Sequence, residues 1–270
     1  MLDQLVNTVF LGLIQGLAEW LPISSTAHLK IAEHYFGLET LGNNALFNLI
    51  LHLGTLIAVI FYFRTEIIDI LKALIHLDFK SEYGAMIPPI IVATIPTGII
   101  GLIYDRYLQK PLDQLLIFGI TFIIGATLVY TSKIGKEKTD KISYPTAVIM
   151  GIAQGFAVFP GLSRSGATVS SSLLLGVKRE KAFKFSFLLS IPAIIGDTAV
   201  EAYLNRHEIA TAGLGIDPIQ VLIATIIAMV VGYIAIKVVS KTVSSKKFHY
   251  FAFYTFLLGT ALILLTLTGH

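Results

Sequence analysis

Residues 12–28 read Gly-Leu-Ile-Gln-Gly-Leu-Ala-Glu-Trp-Leu-Pro-Ile-Ser-Ser-Thr-Ala-His, an apolar run that stops at a proline and a cluster of hydroxyl residues. A related stretch, Gly-Ile-Ala-Gln-Gly-Phe-Ala-Val, occupies residues 151–158, which is 139 positions further along the chain. At the same offset Ser24 matches Ser163 and Thr26 matches Ser165. Such self-similarity predicts an internal duplication. We place repeat A at about residues 1–135 and repeat B at about residues 140–270, within one membrane domain that covers residues 1–270.

The regions between these stretches are membrane-like in composition. The chain has 270 residues, of which 55% are hydrophobic and only 14% are charged, whereas soluble domains carry roughly one quarter charged residues. Each of six apolar runs is close to the roughly 20 residues that cross a bilayer. The runs are Leu46–Phe63, Ile87–Tyr104, Leu115–Tyr130, Phe183–Tyr203, Pro218–Val239 and Phe251–Leu267. They lack the alternation of barrel strands, so we predict an all-α integral membrane protein with six transmembrane helices.

The two duplicated stretches are too short on either side of their breaks to cross a bilayer. We therefore predict two re-entrant helix-loop-helix hairpins, which are tolerated where the broken backbone is buried in protein or lines a cavity. Each repeat then contains one hairpin and three spans. Three is an odd number, so the two repeats have opposite orientations and form an inverted-topology internal repeat.

The distribution of basic residues favours this topology. With re-entrant hairpins, fifteen Lys and Arg residues fall on one side and three on the other, with Lys30 and Arg164 inside the hairpins. If both hairpins crossed the bilayer, the same eighteen residues would divide eight against ten. Because cytoplasmic loops carry the excess of Lys and Arg, we place the richer side in the cytoplasm and both termini on the non-cytoplasmic side.

The first hairpin carries a group of residues suited to chemistry. Gln15 and Glu19 lie one helical turn apart, and Ser25 and His28 can project from the start of the next helix towards one point. Ser24 and Ser25 stand where an N-cap is expected, and a helix N-terminus attracts anions. Ionisable residues at membrane depth indicate function by default. The alternative is that Glu19 is solvated, the hydroxyl residues cap a helix, and His28 binds a nearby carbonyl group.

The second hairpin resembles a phosphate cradle. Arg164 keeps its charge and presents a planar fork that suits phosphate or carboxylate. Ser163, Ser165 and Thr168 add hydroxyl donors beside it. The alternative is an internal ion pair between Arg164 and Glu19 that joins the hairpins, and such a pair can coexist with a site.

Other polar residues at membrane depth have either a functional or a packing role. Asn48 and His52 lie one turn apart on the first span, and Ser186 and Ser190 occupy matching places in repeat B. Asp197 lies on the fourth span. The sequence leaves both roles open for these residues.

On these residues the sequence resembles the undecaprenyl-diphosphate phosphatase family, also called bacitracin-resistance proteins. The resemblance extends from Gly12 through the last span. It rests on two segments, one in which Glu19 leads into Pro-x-Ser-Ser-Thr-x-His, and one that reads Pro-Gly-x-Ser-Arg-Ser-x-x-Thr and starts at Pro160.

The resemblance implies removal of the terminal phosphate from a polyprenyl diphosphate, with Mg²⁺ or Ca²⁺, in the lipid-carrier recycling that serves cell-wall biogenesis. It implies that Glu19 is a metal-associated carboxylate, Ser25 a nucleophile, His28 an acid/base or orienting group, and Arg164 a phosphate clamp. The remaining phosphate-binding residues implied are Ser24, Thr26, Ser163, Ser165 and Thr168. Two residues depart from the common family pattern. Gln15 replaces a Glu and so is a weaker metal ligand, and Ala27 replaces a Gly.

Two other functions remain open at this stage. A polyprenyl-phosphate transporter or flippase would also use inverted repeats with broken helices, and a structural or ion-conducting protein would keep Arg164 and Glu19 as a static pair. We expect a multi-pass plasma-membrane protein whose active site opens to the non-cytoplasmic face. Its expected partner is the lipid substrate and not nucleic acid. The sequence is compatible with a homodimer.

Overall fold

The computed structural model describes residues 2–38, 44–212 and 216–268, which are almost entirely helical. Its main helices are α1 (Leu2–Trp20), α2 (Ser25–Phe36), α3 (Ala45–Tyr62), α4 (Arg64–Ile75), α5 (Ile87–Ile103), α6 (Leu115–Thr131), α7 (Tyr144–Phe156), α8 (Arg164–Leu174), α9 (Arg179–Leu204), α10 (Arg206–Ala212), α11 (Pro218–Ser244) and α12 (Phe251–Leu267). The described residues contain no β-strand, and Thr139 and Val177 form only an isolated bridge. The all-α prediction is confirmed.

Within the described part of the chain, six helices are long and apolar enough to cross a membrane, and each coincides with a predicted span. They are α3, α5, α6, α9, α11 and α12. The helix α9 starts at Arg179, one turn before the predicted span, and α11 continues to Ser244. The span of α5 is prolonged by a π-helical turn at Tyr104–Leu108, a distortion that is frequent at functional sites. Both chain termini, for which a non-cytoplasmic location is predicted, lie outside the described residues.

Two pairs of shorter helices fold back on themselves. In the first hairpin, formed by α1 and α2, the ring of Phe36 at the end of α2 meets Phe10 of α1 edge-on at 5.5 Å between ring centroids. In the second hairpin, formed by α7 and α8, the segments on either side are tied together by hydrogen bonds. The amide of Lys138 donates to the carbonyl of Gly176 at 2.7 Å, and the amide of Lys178 donates to Thr139 at 2.7 Å. In the second hairpin the segments that precede α7 and follow α8 therefore lie side by side.

Glycines in the two similar stretches allow the hairpins to approach their neighbours closely. A Cβ atom at Gly12 or Gly16 of α1 would collide with the backbone of α11 at Ala224 or Ala228. A Cβ atom at Gly151 of α7 would collide with the backbone of α5 in the same way. Small residues spaced four apart are the usual means by which helices pack at short range in membranes.

The packing of the two halves follows a reciprocal pattern. The helix α1 packs on α11 and α7 packs on α5, while α3 contacts α11 and α9 contacts α5. The third span of each half, α6 and α12, pack on each other. The largest buried core of the described residues includes residues of both halves. Trp20 of α1 belongs to it, and its ring stacks on Phe187 of α9 at 5.2 Å between ring centroids.

Candidate active site

The tips of the two hairpins contact each other. The hydroxyl of Ser24 accepts a hydrogen bond from the amide of Gly161 at 3.0 Å. The hydroxyl of Ser165 donates to the carbonyl of Trp20 at 2.9 Å, and that of Ser163 donates to the carbonyl of Leu21 at 3.3 Å. These bonds join backbone groups at the break of each hairpin to hydroxyl groups of the other hairpin, and they bring the starts of α2 and α8 together.

A buried carboxylate stands at this junction. Glu19 Oε2 accepts a hydrogen bond from the hydroxyl of Ser25 at 2.7 Å and another from Gln15 Nε2 at 3.1 Å. Glu19 Oε1 lies 3.4 Å from Arg164 Nη1. The Ser25 distance is in the range of a hydroxyl bound to an ionised carboxylate. The predicted residues Glu19, Ser25 and Arg164 therefore share one centre, and the anticipated ion pair between the hairpins is part of it.

Arg164 binds two carboxylates from different helices. Its second terminal nitrogen, Nη2, lies 3.6 Å from Asp197 Oδ2 on α9. The side chain is 22% exposed, Glu19 is 4% exposed, and Asp197 is 50% exposed. The guanidinium group of Arg164 therefore connects the buried Glu19 with the more exposed Asp197, because it can donate hydrogen bonds in two directions at once.

A polar cavity of about 400 Å³ opens over these residues. Its lining includes the predicted Ser24, Thr26 and Ser163 together with Asn48 and His52 of α3. Among the described residues, six carboxylates and two permanent cations line it: Glu19, Glu33, Asp105, Asp113, Asp197 and Glu201 against Lys30 and Arg164. The cavity is therefore acidic, although it contains the residues expected to hold a phosphate group.

Four predicted site residues do not line the cavity, namely His28, Ser165, Thr168 and Gln15. His28 does not line the cavity, and its ring nitrogens bind the carbonyl of Ser24 and the hydroxyl of Tyr254, each at 2.7 Å. The expectation that Ser25 and His28 project towards one point is wrong, because the His28 face of α2 packs towards α12. Ser165 and Thr168 lie behind the ion pair, in a small buried space that Ser186 and Ser190 also line. Thr168 there forms a short hydrogen bond with Ser186.

Gln15 lies behind Glu19 and holds that carboxylate from outside the cavity. It is fully buried and absent from the cavity lining, and its Nε2 bridges Glu19 and His52 Nδ1, the latter at 3.2 Å. Its Oε1 is buried and has no hydrogen-bond partner among the described residues. The position of Gln15 behind Glu19 suits orientation of that carboxylate, and its role as a weak metal ligand stays a prediction.

Sequence reasoning left several cavity residues undecided or unnoticed. His52 Nδ1 lies 3.8 Å from Glu19 Oε2. Its place one turn after Asn48, within an otherwise apolar span, marked His52 in the sequence as a residue with either a functional or a packing role. Asp105 and Glu201 lie at the ends of long spans, where charged residues are common, so nothing in the sequence distinguished them. Only the convergence of α5 and α9 on the cavity identifies these two residues.

The donor set fits a hard divalent cation that shares its coordination with a ligand. Carboxylate oxygens are what Mg²⁺ and Ca²⁺ prefer, and Mg²⁺ commonly uses one or two carboxylates together with substrate phosphates. Glu19 lines the cavity as such a donor, and the acidic lining favours a cation when an anion binds. Within the described residues no group of three or more acidic or histidine side chains is arranged as a complete metal cage.

Comparison with known proteins identifies the family of the chain. The sequence profile described as "Bacitracin resistance protein BacA" matches residues 8–261. A protein of Carboxydothermus hydrogenoformans named undecaprenyl-diphosphatase is 36% identical over 97% of this chain and 98% of its own length. Proteins with the same name from Treponema denticola and Methanosphaera stadtmanae are 41% and 36% identical, over 95% and 98% of this chain and 95% and 99% of their own lengths. The chain therefore belongs to the bacitracin resistance protein BacA family.

Proposed function

We propose that this chain is a membrane phosphatase that hydrolyses undecaprenyl diphosphate, or a closely related polyprenyl diphosphate, to the monophosphate and inorganic phosphate. The observation that carries the proposal is the hydrogen bond from the Ser25 hydroxyl to the buried Glu19 carboxylate, with Arg164 on the other oxygen. A nucleophile, a base and an anion clamp are the parts that phosphoryl transfer needs. Relatives that match nearly the full chain are named as undecaprenyl-diphosphatases.

In the proposed reaction Glu19 takes the proton of Ser25 as the hydroxyl oxygen attacks the terminal phosphorus. The new Ser25 oxygen–phosphorus bond forms while the bridging phosphorus–oxygen bond breaks, and the lipid monophosphate leaves with that bridging oxygen. Water then cleaves the phosphoserine and releases phosphate. A direct attack by water, with Glu19 as its base, gives the same products. Rapid quenching distinguishes the two routes by the presence or absence of phosphoserine at position 25.

Arg164 stabilises the charge that develops on the phosphate oxygens. Preorganised positive charge in a site shielded from water is commonly the largest catalytic contribution. A divalent cation held by Glu19 would supply further Lewis-acid stabilisation and offset the repulsion between a diphosphate and the acidic lining. Ser24, Thr26 and Ser163 line the cavity beside the clamp and are proposed to contact the phosphate groups.

We also propose that both hairpins are re-entrant and that repeats A and B form an inverted pair. The hydrogen bonds that join residues 138 and 139 to residues 176 and 178 support a return of the second hairpin to the same membrane side. The reciprocal contacts, α1 with α11 and α7 with α5, support a twofold relation between the halves. Basic residues are in excess around α4 and in the segments that precede and follow the second hairpin, residues 133–141 and 178–184. This excess supports a cytoplasmic location for the membrane side on which these segments lie.

With this orientation the active site opens to the non-cytoplasmic face and both termini lie outside. The cavity is lined by the ends of α5 and α9 that the topology assigns to that face. One chain supplies both hairpins, so the proposed reaction does not require the homodimer considered from the sequence.

The test is phosphate release from undecaprenyl diphosphate by purified protein in detergent, with Mg²⁺ or Ca²⁺ and after chelation. We expect Ser25→Ala and Glu19→Gln each to lower kcat by at least about 10³-fold, since each removes a partner of the nucleophile–base pair. Ser245→Ala, which alters an exposed serine at the end of α11, is the matched control. Chelation should stop turnover without unfolding the protein. Full activity of Ser25→Ala together with indifference to chelation would refute the proposal.

The transport alternative predicts a different result. A flippase needs a clamp such as Arg164 but no nucleophile, so Ser25→Ala would preserve lipid movement in vesicles. The relatives reported above are named as diphosphatases and give the transport function no support.

A further inference from the structure

We propose that Tyr254 of α12 is a positioning residue for the phosphatase site, acting through His28 on the peptide group between Ser24 and Ser25. The inference rests on the proposed function, because it assigns a task within that site. It also gives His28 a role that differs from proton transfer to substrate.

The hydrogen bonds of His28 define its tautomer. The carbonyl oxygen of Ser24 can only accept, so His28 Nδ1, at 2.7 Å, must carry a hydrogen and donate. In a neutral imidazole Nε2 is then an acceptor, and the Tyr254 hydroxyl donates to it at 2.7 Å. The Tyr254 ring also stacks on the imidazole at 5.7 Å between centroids, and Phe122 meets it edge-on at 5.5 Å. The ring is held on three sides, away from the cavity.

The peptide group that His28 holds needs such support. Ser24 has φ 71° and ψ 101°, a region that residues with a side chain rarely adopt. Although Ser24 occupies the N-cap position of α2, its side chain makes no capping hydrogen bond and instead accepts from the amide of Gly161. The carbonyl of Ser24 is bound by His28 Nδ1 and also by the His28 amide at 3.3 Å. Because this carbonyl belongs to the same peptide group as the Ser25 amide, its orientation sets the direction in which Ser25 leaves the turn.

The second hairpin has neither a strained backbone at the serine that matches Ser24 nor a histidine that binds the carbonyl of that serine. Ser163, the counterpart of Ser24, has φ −89° and caps α8 through a hydrogen bond from Gly166. The counterpart of His28 at the same 139-residue offset is Ala167. A histidine is therefore present in the hairpin whose serine, Ser24, has a strained backbone and precedes the proposed nucleophile. It is absent from the matching position of the hairpin whose serine is unstrained.

The kinetic experiment compares Tyr254→Phe, His28→Asn and His28→Ala. Tyr254→Phe keeps the stacked ring but removes the hydroxyl, and we expect kcat to fall about tenfold, the equivalent of one hydrogen bond, with KM within about twofold. The amide nitrogen of Asn replaces Nδ1 as a donor to Ser24 but cannot carry a proton to substrate. We therefore expect His28→Asn to retain at least about tenfold more activity than His28→Ala, with the pH profile of kcat unchanged. Tyr250→Phe, on an exposed tyrosine one turn away, is the control.

The results decide between positioning and proton transfer. If His28→Asn is as inactive as His28→Ala, or if a limb of the pH profile disappears in both, then His28 carries a proton and the proposal is overturned. Equal activity of Tyr254→Phe and Tyr250→Phe would also overturn it. The double variant His28→Ala/Tyr254→Phe should be no slower than His28→Ala alone, because both changes break the same chain of hydrogen bonds from Tyr254 through His28 to Ser24.

A second measurement is independent of turnover. The chain contains no cysteine, so Ser25→Cys creates a single thiol at the site. We expect Tyr254→Phe to change the rate of maleimide modification of that thiol several-fold, and Tyr250→Phe to leave it unaltered. An unaltered rate with Tyr254→Phe would contradict positioning. If the wild-type protein released no phosphate, the proposed function would fail while this measurement would still decide the role of Tyr254.

Discussion

Arg164 balances the charges on the proposed catalytic carboxylate and on the cavity wall. A buried carboxylate such as Glu19 is costly unless a cation and hydrogen-bond donors compensate it. Arg164 Nη1, the Ser25 hydroxyl and Gln15 Nε2 provide that compensation, and Asp197 holds the other end of the guanidinium group. The geometry depends on a planar fork and not only on positive charge.

We therefore predict that Arg164→Lys lowers kcat/KM by about 100-fold, the size expected when one preorganised donor is lost. The variant keeps a positive charge beside Glu19, so its unfolding temperature in detergent should stay close to that of the wild type. Phosphate release and thermal unfolding measure the two effects. Activity within threefold of wild type would show that a point charge is sufficient.

At the scale of elements, the tip of the second hairpin depends on one glycine. Gly161 has φ +97°, and a Cβ atom there would collide with the hydroxyl of Thr121 and the backbone of α6 at Phe118 and Phe122. Its amide is the donor to Ser24 that joins the two hairpins. The tip therefore fits between α6 and the first hairpin only without a side chain.

We predict that Gly161→Ala lowers the free energy of unfolding by about 1–3 kcal/mol, the cost of an unfavourable backbone region, and also reduces phosphate release. Gly98→Ala is the matched control, because Gly98 is helical in α5 and no heavy atom lies within 4 Å of an added Cβ. Alanine should be neutral or stabilising at Gly98, since it favours helix. Equal behaviour of the two variants would exclude a special role for the tip.

At the scale of the whole molecule, the fold places two short hairpins between six long helices. Neither hairpin could expose its break to lipid, because unpaired backbone groups there would lack partners. The reciprocal packing of α1 on α11 and of α7 on α5 encloses both breaks. The site is thus built from residues of both halves, and each half on its own lacks either Glu19 and Ser25 or Arg164.

The absence of cysteine allows a direct test of topology. Single variants Lys138→Cys and Lys178→Cys lie on exposed positions before and after the second hairpin, and Lys110→Cys lies after α5. In intact cells we predict that a membrane-impermeant maleimide modifies only Lys110→Cys, and that Lys138→Cys and Lys178→Cys react after permeabilisation. Reaction of Lys138→Cys and Lys178→Cys from opposite sides would mean that the second hairpin crosses the membrane.

The sequence by itself predicted the six spans and the two breaks, and its resemblance to a known family grouped Glu19, Ser25 and Arg164 in one site. Long apolar runs and local Pro-Ser interruptions have consequences within a single segment, so they can be interpreted without neighbours. Only the tertiary structure decided that His28 turns towards Tyr254, that Ser165 and Thr168 lie behind the ion pair, and that the cavity wall is acidic. Spacing along one helix shows which residues share a face. The neighbour that each face meets depends on how the helices rotate and pack, and here that packing joins residues more than a hundred positions apart.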